Sequence, residues 1–203
     1  MRTMVSAISS WTGRALWAVA ALLSLGIALF SYRYLAMAGP LAPNVIENPF
    51  AAPWLPIHAG SAATALLVGA FQFLPGVRAR APRLHRYAGR IYVLACTLGG
   101  ISGLMLALGA TAGPIATAGF GTLGIAWLFA TLQGWRLAMA LRFAEHRAWM
   151  IRSWALTFAA VTLRLYLPMV PLFDVSFMEG YRAIAFLCWV PNLIAAELYL
   201  RLR

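Results

Sequence analysis

The chain alternates between long apolar runs and short segments rich in arginine or proline. The runs cover approximately residues 15–37, 57–76, 88–110, 114–141, 148–171 and 183–200, the fourth broken by Gly and Pro near its start. About 20 apolar residues in helical form cross the roughly 30 Å hydrocarbon layer of a bilayer, with every backbone polar group paired inside its own segment. Each run therefore predicts one transmembrane helix. Six of them consume most of the 203 residues. The expected fold is an all-α integral membrane protein, a single bundle of about six transmembrane helices over 1–203 with no separate soluble domain.

Composition names the solvent. The chain is 63% hydrophobic and 10% charged, with a mean hydropathy of +0.79, whereas a soluble domain is nearer half apolar. A net charge of +11 on a soluble fold would point to nucleic acid. Here the sixteen basic residues, all Arg, mostly fall in short segments at or between the apolar runs, so the charge reads as topology and no nucleic-acid partner is expected. Arg78, Arg80, Arg83, Arg86 and Arg90 cluster after the second run, and Arg136, Arg142, Arg147 and Arg152 flank the junction after the fourth. The positive-inside rule places both loops in the cytoplasm. With six spans, Arg2, Arg14, Arg201 and Arg203 fall on the same side, so both termini are expected to be cytoplasmic, and Glu47, Asp174 and Glu179 fall outside. The first run has a rival reading as a signal peptide, since Arg14 precedes it and Ala36-Met37-Ala38 resembles a cleavage site. Its length and the Arg33 near its end favour a span. Cys96 and Cys188 sit inside apolar runs and read as packing residues.

The segment between the first two runs carries Pro40, Pro43, Pro49, Pro53 and Pro56 with Phe50 and Trp54. It is expected to lack regular helix and to lie at the outer interface, either as an extended linker or as a cap on an outward-facing cavity. A weak echo joins His85-Arg86 with Arg90 to His146-Arg147 with Arg152, as if spans two to three and four to five were related hairpins.

Polar groups are expensive at membrane depth, so those that persist there are the functional candidates. On the second span His58, Ser61, Ala62, Ala65, Gly69 and Gln72 share a face at helical spacing, small and polar enough to admit either another helix or a flat cofactor. On the third, His85, Gly89, Tyr92, Cys96, Gly99 and Gly103 do the same; on the fifth, His146, Met150, Ser153, Thr157 and Arg164 carry polarity deep into the bundle. His58, Gln72 and Arg164 are grouped as an outer polar site, in which Arg164 is neutralised by Glu47, Asp174, Glu179 or an acidic ligand, or else snorkels to the outer headgroups. Asn192, after Pro191, and Glu197 are assigned to helix packing or a relay, with Glu197 expected to pair with a loop arginine.

His85 and His146 enter from the cytoplasmic side on different helices. Two facing imidazoles complete the axial coordination of a haem iron, and Arg86, Arg90, Arg147 and Arg152, with Tyr92 above, are placed to hold its propionates. The rival reading makes both histidines interfacial, bonded to loops or headgroups. No metal-spaced Cys/His cluster, Gly-rich phosphate loop or G-x-S-x-G motif is present, so hydrolytic and nucleotide chemistry find no support.

Three segments are familiar: His58-Ala59-Gly60-Ser61 with Gly69-Ala70-Phe71-Gln72-Phe73, then Leu84-His85-Arg86-Tyr87-Ala88-Gly89-Arg90-Ile91-Tyr92, then His146-Arg147-Ala148-Trp149-Met150-Ile151-Arg152-Ser153. With Pro191-Asn192-Leu193 and Glu197 they resemble, over residues 55 to 200, the bacterial membrane family of domain of unknown function 2306. More distantly the chain resembles b561-type cytochromes, six-span proteins whose haems are held by histidine pairs, one pair from the third and fifth helices. His85 and His146 match those helices. That family's second pair joins the second and fourth helices, and the fourth span here has no histidine.

The leading expectation is a small multi-pass redox protein of the bacterial inner membrane that binds one haem b near the cytoplasmic face and exchanges electrons with a quinone or small reductant. A transmembrane role would need a second carrier near His58 and Arg164. The alternatives are a carrier or binding protein for a small or lipid-like anion, and a non-catalytic subunit or assembly factor whose glycine-rich faces bind a partner membrane subunit or a second copy.

Overall fold

The computed structural model describes residues 2–39 and 41–202, with the side chains of all of these except 2–12, 43, 75 and 77. Helix α1 (Arg2–Ser31) runs into a 3₁₀ turn at Tyr32–Leu35, followed by α2 (Pro43–Ile46), α3 (Ala51–Gln72), α4 (Pro75–Arg80), α5 (Pro82–Leu108) and α6 (Pro114–Met139). Then come α7 (Phe143–Thr157), α8 (Ala159–Tyr166), a 3₁₀ segment at Leu167–Leu172, α9 (Phe177–Leu187) and α10 (Val190–Arg201). Six stretches are long and apolar enough to cross a membrane: Gly13–Leu35, Ala51–Gln72, Pro82–Leu108, Pro114–Met139, Phe143–Leu172 and Phe177–Arg201. The fold is the all-helical membrane bundle that the apolar runs predict.

Spans two, three, five and six begin five or six residues before their apolar runs. A membrane helix does not stop at the hydrocarbon edge: its first turns, which here hold Arg83, His85 and His146, stay helical and reach water. Prolines mark several starts, because the N–H that proline lacks has no intrahelical acceptor in the first turn. Pro82 and Pro114 open α5 and α6 in this way. The same reason accounts for the short helical pieces in the proline-rich segment, which otherwise lacks regular helix as expected. Pro43 opens the short α2, and Pro53 and Pro56 lie inside α3 just after the non-helical Ala52. The segment is thus helical only in part, with turns at 47–50, and it is packed: Leu41, Val45 and Ala51 cover a core of Tyr34, Leu55 and Ala59. Asn48 donates to Leu106 O at 2.7 Å, and Thr111 donates to Asn44 O at 3.0 Å.

The antiparallel pair α3 and α5 forms the most extensive helix interface; α5 then packs on α6, α6 on α7 and α9, and α10 on α7. Alpha-1 lies outermost against α3, meeting it and α8 through Ala28, Ala63, Leu66 and Val161. Small residues build these interfaces, as expected where lipid tails are as apolar as leucine and only close packing gains energy. At the crossing of α6 and α9, a Cβ on Gly119 would sit 2.7 Å from the Cβ and 2.9 Å from the carbonyl of Ala185. The large apolar side chains face outward, among them Leu16, Leu22, Ile125 and Phe129.

All the loops between spans two and three and between spans four and five lie at one end of the bundle, together with Arg14 and Arg201. This is the arginine-rich end. The expectations for Arg2 and Arg203 concern side chains outside the described residues.

The fifth and sixth spans are broken. Phe158 interrupts α7 and α8, and Cys188-Trp189 separates α9 from α10, where Pro191 supplies no N–H. Side chains satisfy the carbonyls released there. Asn192 Nδ2 donates to Cys188 O at 3.0 Å, Thr162 Oγ1 at 3.2 Å and Ala155 O at 3.3 Å. Thr162 also donates to Cys188 O, and Trp189 Nε1 donates to Ala185 O at 3.1 Å.

Candidate functional site

At the arginine-rich end His85 is the fourth residue of α5 and His146 the fourth of α7, so the two occupy equivalent positions on their helices. Each is half-buried, and the imidazoles lie within electrostatic range of one another. His146 Nδ1 is 2.8 Å from the carbonyl oxygen of Gly134 on α6. A carbonyl only accepts, so this nitrogen carries the hydrogen and Nε2 of the neutral ring keeps its lone pair for another partner. His85 Nδ1 is buried with no hydrogen-bond partner. Alpha-5 and α7 do not pack closely along their backbones; Tyr92 bridges them.

The arginines around this pair divide into two groups. Arg152 is held by Glu197 of α10 through Nε at 2.5 Å and Nη2 at 2.9 Å, and it also stacks over Trp149. The partner expected for Glu197 was a loop arginine; the one found is on the fifth span. Arg142 is paired with Glu145. Arg86, Arg90 and Arg147 are exposed and have no carboxylate partner among the described residues, Arg90 lying instead over the Tyr87 ring. Gln72 also belongs to this end, corrected from the outer site: fourteen residues of helix, about 21 Å of rise, separate it from His58, and its Oε1 approaches Gly89, one turn along α5 from His85.

Two turns further into the bundle lies a polar cluster of five side chains, three of which sequence reasoning found. Tyr92 is 1% exposed. Its hydroxyl meets Ser153 Oγ and Thr157 Oγ1, each at 2.9 Å. Thr131 Oγ1 is 2.6 Å from Ser153 Oγ, and Trp127 Nε1 donates to Thr157 Oγ1 at 2.8 Å. Trp127 and Thr131 of α6 were missed. They sit singly in an apolar helix, and the only available signal was that each could reach a hydroxyl stripe on the neighbouring span. This satisfied cluster ties α5, α6 and α7 together; it does not place Tyr92 against His85.

The small face of α3 is filled by α5 along its length. Ser61 approaches Gly99, and Gly69 abuts Tyr92 and Trp154. His58 lies against Gly103, with Nδ1 2.9 Å from Gly99 O. The face therefore packs a helix and leaves no slot for a flat cofactor.

At the end opposite the arginine-rich loops, Arg164 donates Nη1 to Ala160 O at 2.9 Å. Glu47, Asp174 and Glu179 are exposed, and none bonds it; Glu179 instead closes a capping box with Ser176 at the start of α9. Arg164 lies within electrostatic range of His58, Arg33, Tyr34 and Tyr181. Arg33, read from sequence only as a marker of a long first span, is thus a neighbour of this group.

The family described as "Predicted membrane protein (DUF2306)" matches residues 55–200. The chain belongs to that family, whose description gives a membrane location and no activity. No curated protein and no solved structure matches the chain.

Proposed function

We propose that this protein is a small membrane redox protein holding one b-type haem at its arginine-rich end between His85 and His146. The observation that carries the reading is the convergence of these two imidazoles from equivalent helix positions. One has its Nε2 left open by the Nδ1 bond to Gly134, and the other has a buried Nδ1 without a partner. A backbone carbonyl on the far ring nitrogen is how protein iron and zinc ligands are commonly oriented. The donor set fits the axial demand of haem iron, two neutral imidazoles.

When bound, the haem supplies a one-electron iron couple. The chain's own part is to orient His146 through Gly134 and to keep both rings half out of water between α5 and α7. Arg86, Arg90 and Arg147, whose charges no carboxylate meets, are suited to the propionates; Arg152 is already held by Glu197. By the positive-inside rule this end faces the cytoplasm; the proposal sets the protein in a bacterial inner membrane, with a quinone or small reductant as redox partner. The likeness to b561-type cytochromes supports the reading through helix position alone.

The test is the visible spectrum of detergent-purified protein expressed with ample haem supply, oxidised and then reduced with dithionite. The expected result is a Soret band with sharp reduced α and β bands, lost in His85→Ala and in His146→Ala. A featureless spectrum from folded protein overturns the proposal.

A further inference from the structure

The far end of the bundle gathers hydrogen-bond donors and positive charge without an acid to meet them. Arg164, on α8, uses one of its five N–H groups on Ala160 O and has no other bonded partner among the described residues. Arg33, from the 3₁₀ turn after α1, lies over Phe30 with its guanidinium carbon 3.8 Å from the ring centre, and 5.1 Å from that of Tyr34. Its Nε is buried and unpartnered. Asn44 of α2 has a buried Nδ2 that meets only Tyr181. Tyr181 of α9 reaches the Asn44 side chain and lies within range of Arg164, as does the buried Tyr34. Four separate elements thus converge on one place.

Such an arrangement is costly if left empty. Two guanidinium ions near each other repel, and each gives up part of its hydration in a half-buried site. Unpaired buried N–H groups add to the cost. The three carboxylates at this end do not relieve it, because they stay at the surface. An oxyanion between the two arginines would offset their charges and supply acceptors to N–H groups that lack them.

We propose that Arg33, Arg164 and Asn44, with Tyr34 and Tyr181, form a binding site for a ligand bearing a phosphate or carboxylate group, covered by the α2 segment. The site stands at the opposite end from His85 and His146 and does not depend on a haem. A phosphate can arrive on a lipid headgroup or on a free small molecule, and the two sources are separable.

The experiment uses the full chain in detergent. In one arm, thermal unfolding is followed during titration with inorganic phosphate and with succinate, against sodium chloride of equal ionic strength. In the other, retention of phosphatidylglycerol is read by native mass spectrometry. A saturable rise in unfolding temperature with either free anion assigns a soluble ligand, and retention of phosphatidylglycerol alone assigns a lipid. In either case Arg33→Gln and Arg164→Gln should weaken binding about tenfold or more, while Arg136→Gln, exposed at the other end, should not. If Arg164→Gln fails to fold, Asn44→Ala and Tyr181→Phe carry the same comparison. Absence of any specific response in the wild type overturns the proposal, as does equal binding by these variants.

Discussion

Trp127 on α6 donates its indole N–H to the hydroxyl of Thr157 on α7, and both side chains are buried. The same hydroxyl meets Tyr92, so one threonine holds a donor from each of two neighbouring helices. Thr157→Val strands the Trp127 N–H and should cost about 1–3 kcal/mol. Tyr92→Phe strands no indole N–H, since Trp127 keeps Thr157, Thr157 keeps the Ser153 carbonyl, and Ser153 and Thr131 keep each other. It should cost less, on the order of 0.6 kcal/mol. Reversible unfolding in mixed micelles gives both values; an equal loss in the two variants would contradict the stranded-donor account.

Gly119 and Gly121 are two residues apart on α6 and should respond oppositely to alanine. At Gly119 the new methyl meets the Ala185 backbone, which cannot turn aside, while at Gly121 it meets open space. Gly119→Ala should destabilise by about 1–3 kcal/mol through overpacking. Gly121→Ala should be neutral or stabilising by up to about 1 kcal/mol through helix propensity. The comparison is a pair of unfolding curves under one detergent condition.

Asn192 and Thr162 both donate to the Cys188 carbonyl at the break in the sixth span. Either alone still satisfies it. Asn192→Leu and Thr162→Val should therefore each cost less than about 1.5 kcal/mol, and the double variant should cost more than their sum, by at least about 0.5 kcal/mol. A strictly additive cycle would show that the two donors act independently.

The Arg152–Glu197 pair is short and two-pronged, but its side chains remain 23% and 36% exposed. Solvent screening limits its worth to about 1 kcal/mol or less. Glu197→Gln should lower stability by no more than that, and the difference should shrink in high salt. A larger, salt-insensitive loss would mean that Glu197 has a role beyond this pair.

The helix number and the faces of α3 and α5 were legible because each rests on a repeated signal. Apolar length repeats six times, and small residues recur every three to four positions from His58 to Gly69. Features carried by single residues were not. Trp127 and Thr131 define no stripe, and their meaning depends on which hydroxyls α7 brings beside them. Arg33 looked like a span boundary because a cation near the end of an apolar run is usually that; only the fold of α2 and α8 around it shows two neighbouring guanidiniums. Gln72 was misplaced through shared face being taken for shared depth. Spacing fixes the angle around a helix, and the rise along it must be counted separately.

The breaks at Phe158 and at Cys188-Trp189 leave the bundle with two mechanically unlike halves. The second and third spans lock along their whole length, so relative sliding there would have to unseat glycine contacts in register. In the fifth and sixth spans the helical ladder is interrupted, and in the sixth Asn192, Thr162 and Trp189 serve the carbonyls of Cys188 and Ala185, so a change of angle at those points disturbs fewer helical hydrogen bonds than it would in an unbroken span. Any motion that opens the far end to a ligand should therefore pivot on these two joints, with the α3–α5 pair acting as the fixed post.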